Sequence, residues 1–361
     1  MDRVKVGIIG SGFIAGLHLE AFQHVHNADV VAIASPNEER GKALAEEFGV
    51  PRHLSSYDDL LNIDDINLVT LGVPNDLHAP VTIAAASAGK HVVCEKPLCL
   101  NLDEADSMID ACKKAGVKLM YAEELCFAPK YVRAKKLVEE GALGKVFLVK
   151  QSEEHYGPHS PWFWDVNRSG GGVLLDMGCH SIAYCRWIFE NQPIKSVSAT
   201  MGTYVHGDKT IGEDHALVVL TFADGSIGLC ENSWAKTGGV DDRVEIYGSK
   251  GNTRADLLRG SSLTTHSDVG YGYAVEKATS TQGWTFTMYE ENWNYGFPQE
   301  MQHFTDCVAR DEQPKITGED GRVVLEAIYA AYQSAGTGTR VDLPLAPMSV
   351  AKPIDLWLGT A

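Results

Sequence analysis

The chain has 361 residues, of which 44% are hydrophobic and 22% charged, and its formal net charge at pH 7 is −17. This length favours two domains, and the composition excludes a largely disordered chain. The acidic net charge argues against nucleic acid and anionic membranes as partners, because both attract basic surfaces. The sequence contains no apolar run of about 18 or more residues, so no membrane-spanning helix is predicted.

From Val4 to about Ala122, short apolar runs alternate with helix-length amphipathic segments. The apolar runs are VKVGIIG, ADVVAIAS, INLVTLGV, KHVVCEKP and VKLMYAEE. The segments between them often end in glycine, as helices commonly do. Apolar strands that alternate with helices are typical of a parallel sheet covered on both faces. We therefore predict an N-terminal α/β domain at residues 1–124, a Rossmann doubly wound parallel sheet.

After Cys126 the pattern changes to longer, alternating strands. A helix precedes the strand KVFLVKQSEEH, and a second helix is predicted near residues 173–189. Hairpin turns are predicted at residues 223–225 and 248–251, and two helices follow near residues 298–310 and 321–335. We predict a C-terminal α+β domain at residues 125–361, built on a large, mostly antiparallel sheet.

A glycine-rich turn joins the first predicted strand to the first helix. Gly10 permits the tight turn, Gly12 lets backbone amides approach a pyrophosphate, and Ala15 is small enough for close helix–strand packing. The helix N-terminus would offer unpaired N–H groups to phosphate oxygens. We predict that this loop, with Phe13 and Ile14, binds a dinucleotide.

The end of the second strand bears on the choice between NAD and NADP. An acidic residue is expected there if the ribose 2′-hydroxyl is bound, but this chain has Ser35. Arg40 lies about one helical turn further on and could pair with a 2′-phosphate. The alternative is that Arg40 is simply a solvated helix residue, and Glu38 and Glu39 weaken the case for it. We predict NAD(P)(H), with a preference for NADP.

Two further motifs carry candidate catalytic groups. Lys96 follows the fourth predicted strand, and side chains at the carboxyl ends of parallel strands face the ligand crevice. A lysine there can stabilise charge on a substrate oxygen. Asp176 and His180 are four residues apart on a predicted helix and so share one face. A histidine ordinarily titrates near neutrality and suits a general base, which Asp176 would orient.

With these motifs the sequence resembles the family of glucose–fructose oxidoreductase, inositol dehydrogenase and MocA-type proteins. The resemblance covers nearly the whole chain and rests on GSGFIA, GVPNDLHAP, CEKPL, GALGKV, GGGVLLDMGCH and GEDGR. It implies that Lys96, Asp176 and His180 are catalytic and that nicotinamide binds against Glu95 and Lys96. It also implies that Pro74, Asn75 and His78 line the cofactor crevice, and that the second-domain sheet forms a homo-oligomer interface.

Substrate contacts are expected from two places. Where the family usually has Asn or Arg after the fifth strand, this chain has Glu123 and Glu124, so Glu124 could face the substrate. An aromatic loop at residues 154–165 includes Trp162 and Trp164 as well as His155 and His159, and aromatic faces stack on sugar rings. The alternative is that these aromatics are core or interface anchors. No tight ligand spacing indicates a metal, so none is predicted.

The predicted reaction is hydride transfer between a secondary alcohol of a sugar, inositol or glycoside and nicotinamide. Two other functions stay open: a redox-neutral glycosidase-like or epimerase-like enzyme with tightly bound NAD(H), and a non-catalytic, cofactor-sensing regulator. The complete set of Lys96, Asp176 and His180 argues against the regulator. Eight cysteines without a CxxC pair, mostly inside apolar runs, favour reduced thiols in a cytoplasmic protein.

Overall fold

The computed structural model describes residues 3–257, 263–270, 280–287 and 290–360. The strands are β1 (Val4–Ile9), β2 (Ala28–Ala34), β3 (His53–Leu54), β4 (Leu68–Leu71), β5 (His91–Cys94), β6 (Leu119–Tyr121), β7 (Val146–Glu154), β8 (Ile194–Gly202), β9 (His215–Phe222), β10 (Ile227–Ser233), β11 (Asp241–Gly248), β12 (Asn252–Asp256), β13 (Leu263–Ser267), β14 (Gly283–Thr287) and β15 (Val341–Asp342). The α-helices are α1 (Phe13–Phe22), α2 (Glu38–Glu47), α3 (Tyr57–Leu61), α4 (His78–Ser87), α5 (Leu102–Ala115), α6 (Pro129–Glu139), α7 (Val166–Ser169), α8 (Val173–Asp176), α9 (Gly178–Ile188), α10 (Glu291–Tyr295), α11 (Phe297–Arg310), α12 (Gly318–Thr337) and α13 (Ile354–Leu358).

The chain divides into two compact units. The first comprises Met1–Phe127 and Gly296–Leu325, and the second comprises Ala128–Tyr295 and Glu326–Ala361. The first break lies three residues from the predicted boundary, but the return of Gly296–Leu325 to the first unit differs from the predicted continuous split. No helix in the described part of the chain is long and apolar enough to cross a membrane.

A parallel sheet forms the centre of the first unit. Across the described residues its strand order is β3-β2-β1-β4-β5-β6, and each neighbouring pair is parallel. The five apolar runs form its longer strands, and the short edge strand β3 was not predicted. Because β2 and β4 lie on opposite sides of β1, the connections diverge there, which is where open α/β sheets bind ligands. The predicted Rossmann doubly wound sheet is confirmed.

The segment Gly296–Leu325 joins the first unit through α11, which packs on α1. Phe304 lies edge-on to Phe127, with ring centroids 5.7 Å apart. The Gln302 side chain donates to Asn27 Oδ1 at 2.8 Å, and Thr317 bridges to Met120 beside the sheet. These contacts join residues more than 170 positions apart, so a local sequence pattern could not reveal them.

The second unit is built on a sheet with the order β12-β11-β7-β10-β9-β8-β15 across its described residues. All its neighbouring strands are antiparallel except β7 and β10, which are parallel. Hairpins join β9 to β10 and β11 to β12, as the turn residues predicted, and α9 packs against β7 and β10. A separate two-stranded sheet pairs β13 with β14. The mostly antiparallel α+β prediction is confirmed.

Candidate functional site

The glycine loop after β1 has two glycines with different constraints. Gly10 has a φ of +120°, and a Cβ there would lie 2.1 Å from the Gly72 carbonyl oxygen, so the ends of β1 and β4 meet only over a glycine. Gly12 caps α1 with an ordinary φ of −80°, and a Cβ there would meet nothing within 4 Å. Protein packing therefore does not require glycine at position 12. The open space above the helix N-terminus fits a pyrophosphate.

Ser35 ties the end of β2 to this loop. The Ser35 and Ser11 hydroxyls are 2.7 Å apart, and the backbone N–H of Asn37 donates to Ser35 Oγ at 3.2 Å. Asn37 caps α2 by accepting from the Arg40 N–H, while the Arg40 side chain is exposed. The buried Ser35 thus holds the two loops together, and the exposed Arg40 is one of the cations at the start of α2, with Lys42 paired to Glu38 beside it. Phe13 is exposed and Ile14 partly buried at the start of α1.

His78 connects the loops that follow β4 and β5. The ring is fully buried, and its Nδ1 and Nε2 lie 2.8 Å and 3.0 Å from the carbonyl oxygens of Pro97 and Val73. Burial lowers the pKa of this imidazole below its usual value. Both ring nitrogens face backbone, so His78 holds the two loops in place. Asn75 is also buried, and Pro74 is partly buried.

Glu95 and Lys96 leave the sheet at the carboxyl end of β5. Glu95 is buried, with Oε1 2.9 Å from His18 Nε2 and Oε2 accepting the Lys96 backbone N–H at 3.1 Å. Burial alone would raise the pKa of Glu95, but the His18 hydrogen bond and the nearby charges of His18 and Lys96 lower it below the usual range. Glu95 is therefore held as a carboxylate beside Lys96, whose side chain is partly buried.

His18 was missed in the sequence analysis. It lies within the apolar pattern GLHLEAF, where a buried histidine is usually a core residue. Only its place in α1, opposite Glu95, gives it a role. The one local signal was a histidine on the buried face of the helix that follows the glycine loop.

In the second unit, Asp176 and His180 lie on two helices instead of one. Asp176 ends α8 and His180 lies in the first turn of α9, with Met177 between the two helices. The prediction of a single helix over residues 173–189 is therefore wrong, because the chain turns at Met177 before the helical hydrogen bonds resume in α9. Both side chains are buried, and the Trp234 indole N–H donates to Asp176 Oδ2 at 3.1 Å.

Glu213 holds the glycine-rich segment that leads to Asp176. Its carboxylate accepts from the backbone N–H of Leu174 at 2.9 Å, from that of Gly172 at 3.2 Å and from the Tyr332 hydroxyl at 2.7 Å. A Cβ on Gly172 would lie 2.0 Å from the Glu213 carbonyl oxygen, so glycine is needed there. Burial raises the pKa of Glu213 to about 7. Glu213 has no local sequence signal for this role, because it precedes β9, far along the chain from the segment it holds.

One part of the aromatic loop, at Trp164, packs against other residues of the second unit. Trp164 lies 5.4 Å from Trp234 and 5.0 Å from His206 between ring centroids, and the Lys209 ammonium lies 5.3 Å from its ring. Trp162 stacks on Phe163 at 3.9 Å. His155 is buried with its ring 4.9 Å from that of His159, which is exposed. Trp234, against which Trp164 packs, also donates a hydrogen bond to Asp176, so the aromatic loop is connected to Asp176 through Trp234.

Glu124, which the sequence predicted as a substrate contact, lies in the first unit. It is buried in a short 3-10 turn, Glu124–Cys126, directly after β6. The preceding residue, Glu123, donates its backbone N–H to Glu300 Oε1 of α11 at 2.7 Å. Position 300 carried no signal in the sequence, because a glutamate near a helix start is ordinarily solvated.

Comparison with known proteins identifies relatives along most of the chain. Residues 4–123 match the model of the oxidoreductase family with an NAD-binding Rossmann fold, and residues 131–254 match the GFO/IDH/MocA C-terminal domain. Myo-inositol 2-dehydrogenase of Thermotoga maritima is 31% identical, over 92% of this chain and 96% of its own length. A D-xylose 1-dehydrogenase (NADP(+)) of Haloferax volcanii is 30% identical, over 93% of this chain and 99% of its own.

Among solved structures, GenD2 from gentamicin A biosynthesis, in complex with NAD, superposes with a TM-score of 0.90. It is 32% identical, and the match covers 96% of this chain and 97% of that one. The two family models lie on the two parts of the chain that carry the glycine loop with Lys96 and the Asp176–His180 segment. The chain belongs to the Gfo/Idh/MocA family of oxidoreductases.

Proposed function

We propose that this protein is a nicotinamide-dependent dehydrogenase that oxidises a secondary alcohol of a sugar, inositol or glycoside. The observation that carries this proposal is the position of Lys96. It leaves the sheet at the carboxyl end of β5, in the same unit as the glycine loop, beside a Glu95 carboxylate that is held by His18. A lysine in this position suits stabilisation of charge on a substrate oxygen near a nicotinamide.

In the proposed reaction, His180 removes the proton from the substrate hydroxyl and Lys96 stabilises the developing charge on that oxygen. Asp176, which the Trp234 indole holds, aligns His180. Bound nicotinamide would supply the acceptor for the hydride that leaves the same carbon. The residues that would hold this cofactor are Gly10, Gly12, Phe13, Ile14, Ser35, Arg40, Pro74, Asn75, His78, Glu95 and Lys96.

We propose NADP as the preferred cofactor. Ser35 stands where an acidic residue would repel a 2′-phosphate, and the Arg40 side chain is exposed one turn into α2. The relatives include both kinds of enzyme, since one is named for NADP and one solved structure holds NAD.

For the substrate, we propose contacts from Glu124 and from the loop that carries His155, His159, Trp162 and Trp164. The stacked pair of Trp162 and Phe163 is only partly buried, which suits a platform for a sugar ring. Relatives named as inositol and xylose dehydrogenases support this substrate class. The eight cysteines are buried and form no disulfide bond, which is in keeping with a cytoplasmic protein.

The test is absorbance at the reduced-nicotinamide band, with purified protein, NAD or NADP, and a panel of sugars, inositols and glycosides. We expect the band to grow with at least one substrate, and faster with NADP. A flat trace from protein that already carries bound cofactor would contradict the dehydrogenase proposal and favour a redox-neutral enzyme. Equal or faster growth with NAD would contradict the NADP preference alone.

We also propose that the second-unit sheet forms a homo-oligomer. On the face opposite its buried residues, Val219 and Ile227 are 37% and 40% exposed, and Leu229 lies directly opposite Val219 in the ladder. Exposed apolar residues on adjacent strands are typical of an interface between subunits. Leu217 and Leu148 extend this row, both partly buried.

The double variant Val219→Glu/Leu229→Glu is expected to be monomeric, because each copy would bring two carboxylates to the interface. Sedimentation velocity measures the change against the wild-type protein. Lys136→Glu, on an exposed position of α6, is the control and should leave the oligomer intact. A wild-type protein that sediments as a monomer would contradict the proposal.

A further inference from the structure

The first unit contains an unusual concentration of buried carboxyl groups around Lys96. Glu95, Glu123, Glu124 and Glu300 are each no more than 7% exposed. The basic groups packed with them in this unit include Lys96 and His18, and Lys315 donates to the nearby Cys126 carbonyl oxygen. An ionised carboxyl group in a low-dielectric interior is costly unless a nearby positive charge or hydrogen-bond donor compensates it. We therefore expect at least one of the four acids to be neutral.

The sheet itself places Glu123 next to Lys96. Strands β5 and β6 are parallel neighbours, with Cys94 opposite Tyr121, and the Ala122 N–H donates to the Cys94 carbonyl oxygen at 2.9 Å. The two chain segments therefore leave the sheet side by side at its carboxyl edge, one with Glu95 and Lys96 and the other with Glu123. This adjacency comes from backbone pairing, so it does not depend on the rotamer of either side chain.

Glu300 closes the cluster from α11. Its Oε1 accepts the Glu123 backbone N–H at 2.7 Å, whereas its Oε2 is buried without a hydrogen-bond partner among the described residues. A carboxylate oxygen left in that state would lose its hydration without compensation, whereas a protonated carboxyl avoids most of that cost. The geometry thus favours a neutral Glu300.

The neighbouring charges distinguish Glu95 from Glu123 and Glu300. Glu95 has His18 and Lys96 as partners and is held as a carboxylate. Burial raises the pKa of Glu123 well above its usual value, with Lys96 opposing this and Glu95 adding to it. Burial, followed by the charges of Glu124 and Glu95, raises the pKa of Glu300 in the same direction.

We propose that Glu123 is a positioning residue for Lys96: kept as a neutral carboxylic acid by its burial and by the acids around it, it leaves the Lys96 ammonium charge available to the substrate oxygen. This rests on the proposed dehydrogenase function. If Glu123 lost its proton to solvent, the resulting carboxylate would pair with Lys96 and weaken the field at the substrate oxygen. Turnover would then be full below the titration of Glu123 and would fall as the pH rises through it.

The first experiment compares the pH profile of kcat in the wild-type protein and in Glu123→Gln. Glutamine has the shape of the neutral acid but cannot ionise, so we expect the alkaline limb to move upward by about one pH unit or more. If the limb reported loss of the Lys96 proton instead, removing an acid beside Lys96 would leave the limb in place or move it downward. Either of those results would overturn the proposal.

A second experiment needs neither turnover nor a substrate. Infrared spectra of the intact protein across neutral to alkaline pH report the carbonyl stretch of protonated carboxylic acids. Glu300 and Glu213 also contribute to this band at neutral pH, because burial raises the pKa of both. We therefore expect the band at neutral pH to be weaker in Glu123→Gln than in the wild-type protein, by the intensity of one carboxyl group. The same band intensity in both proteins at neutral pH would overturn the proposal. If the band behaves as expected but no alcohol is oxidised, the dehydrogenase proposal fails and the neutral Glu123 stands.

Discussion

Replacing Lys96 with methionine is expected to lower kcat by about 10²–10³-fold, as the loss of one donor to a developing oxyanion commonly does. Methionine keeps the unbranched stem and removes only the ammonium group. Because the neighbouring backbone is held by Glu95 through the Lys96 N–H and by His78 through the Pro97 carbonyl, the loop should keep its position. Cofactor affinity should therefore change by only a few-fold, roughly 1 kcal/mol or less.

The measurement is steady-state turnover with the best substrate found in the panel, together with fluorescence titration of the reduced cofactor. Lys114→Met, at the exposed end of α5, is the matched control and should leave both quantities unchanged. Turnover of Lys96→Met within about threefold of wild type, a difference of roughly 0.65 kcal/mol in the barrier, would remove Lys96 from the mechanism.

The second large effect concerns the glycine loop. Gly12→Ala should fold normally, since its φ suits any residue and the added Cβ meets no protein atom within 4 Å. The methyl group would instead enter the space above the N-terminus of α1. We expect the cofactor to bind at least roughly tenfold more weakly, which corresponds to about 1.4 kcal/mol. Fluorescence titration of the reduced cofactor measures this, and thermal unfolding without cofactor checks the fold.

Gly10→Ala is the contrasting variant, which we expect to destabilise the fold itself. Its Cβ would press against the Gly72 carbonyl at a φ of +120°, so the cost falls on the fold. Backbone strain and overpacking each contribute about 1–3 kcal/mol in such cases. A large drop in the unfolding temperature is expected with or without cofactor. Wild-type cofactor affinity in Gly12→Ala would show that the pyrophosphate does not bind over this helix.

Much of the first unit could be predicted from the chain alone. Buried parallel strands appear as apolar runs, and helices that cover a sheet appear as amphipathic segments, so VKVGIIG and its four companions identified the sheet. Gly10 and Lys96 stand directly after such runs, and the carboxyl ends of parallel strands share one edge. Local sequence therefore determined which candidate residues meet at the cofactor edge of the sheet.

The pattern was less informative where a helix is interrupted. The spacing of Asp176 and His180 fits one continuous helix, yet the chain turns at Met177 between α8 and α9. The Glu213 side chain anchors the start of α8 by accepting two backbone N–H groups, and Trp234 holds Asp176. Glu213 precedes β9 and Trp234 follows β10, both far along the chain from Met177, so no local periodicity could predict the break.

Local sequence thus determined the strands, the helices, the glycine loop and the position of Lys96 at a strand end, because periodicity and turn chemistry act over a few residues. The tertiary structure alone decided the charge environment. His18 opposite Glu95, and Glu300 against Glu123, join residues 77 and 177 positions apart. Whether a buried acid is charged depends on solvent exclusion and on such distant partners, and neither is encoded in the neighbouring residues.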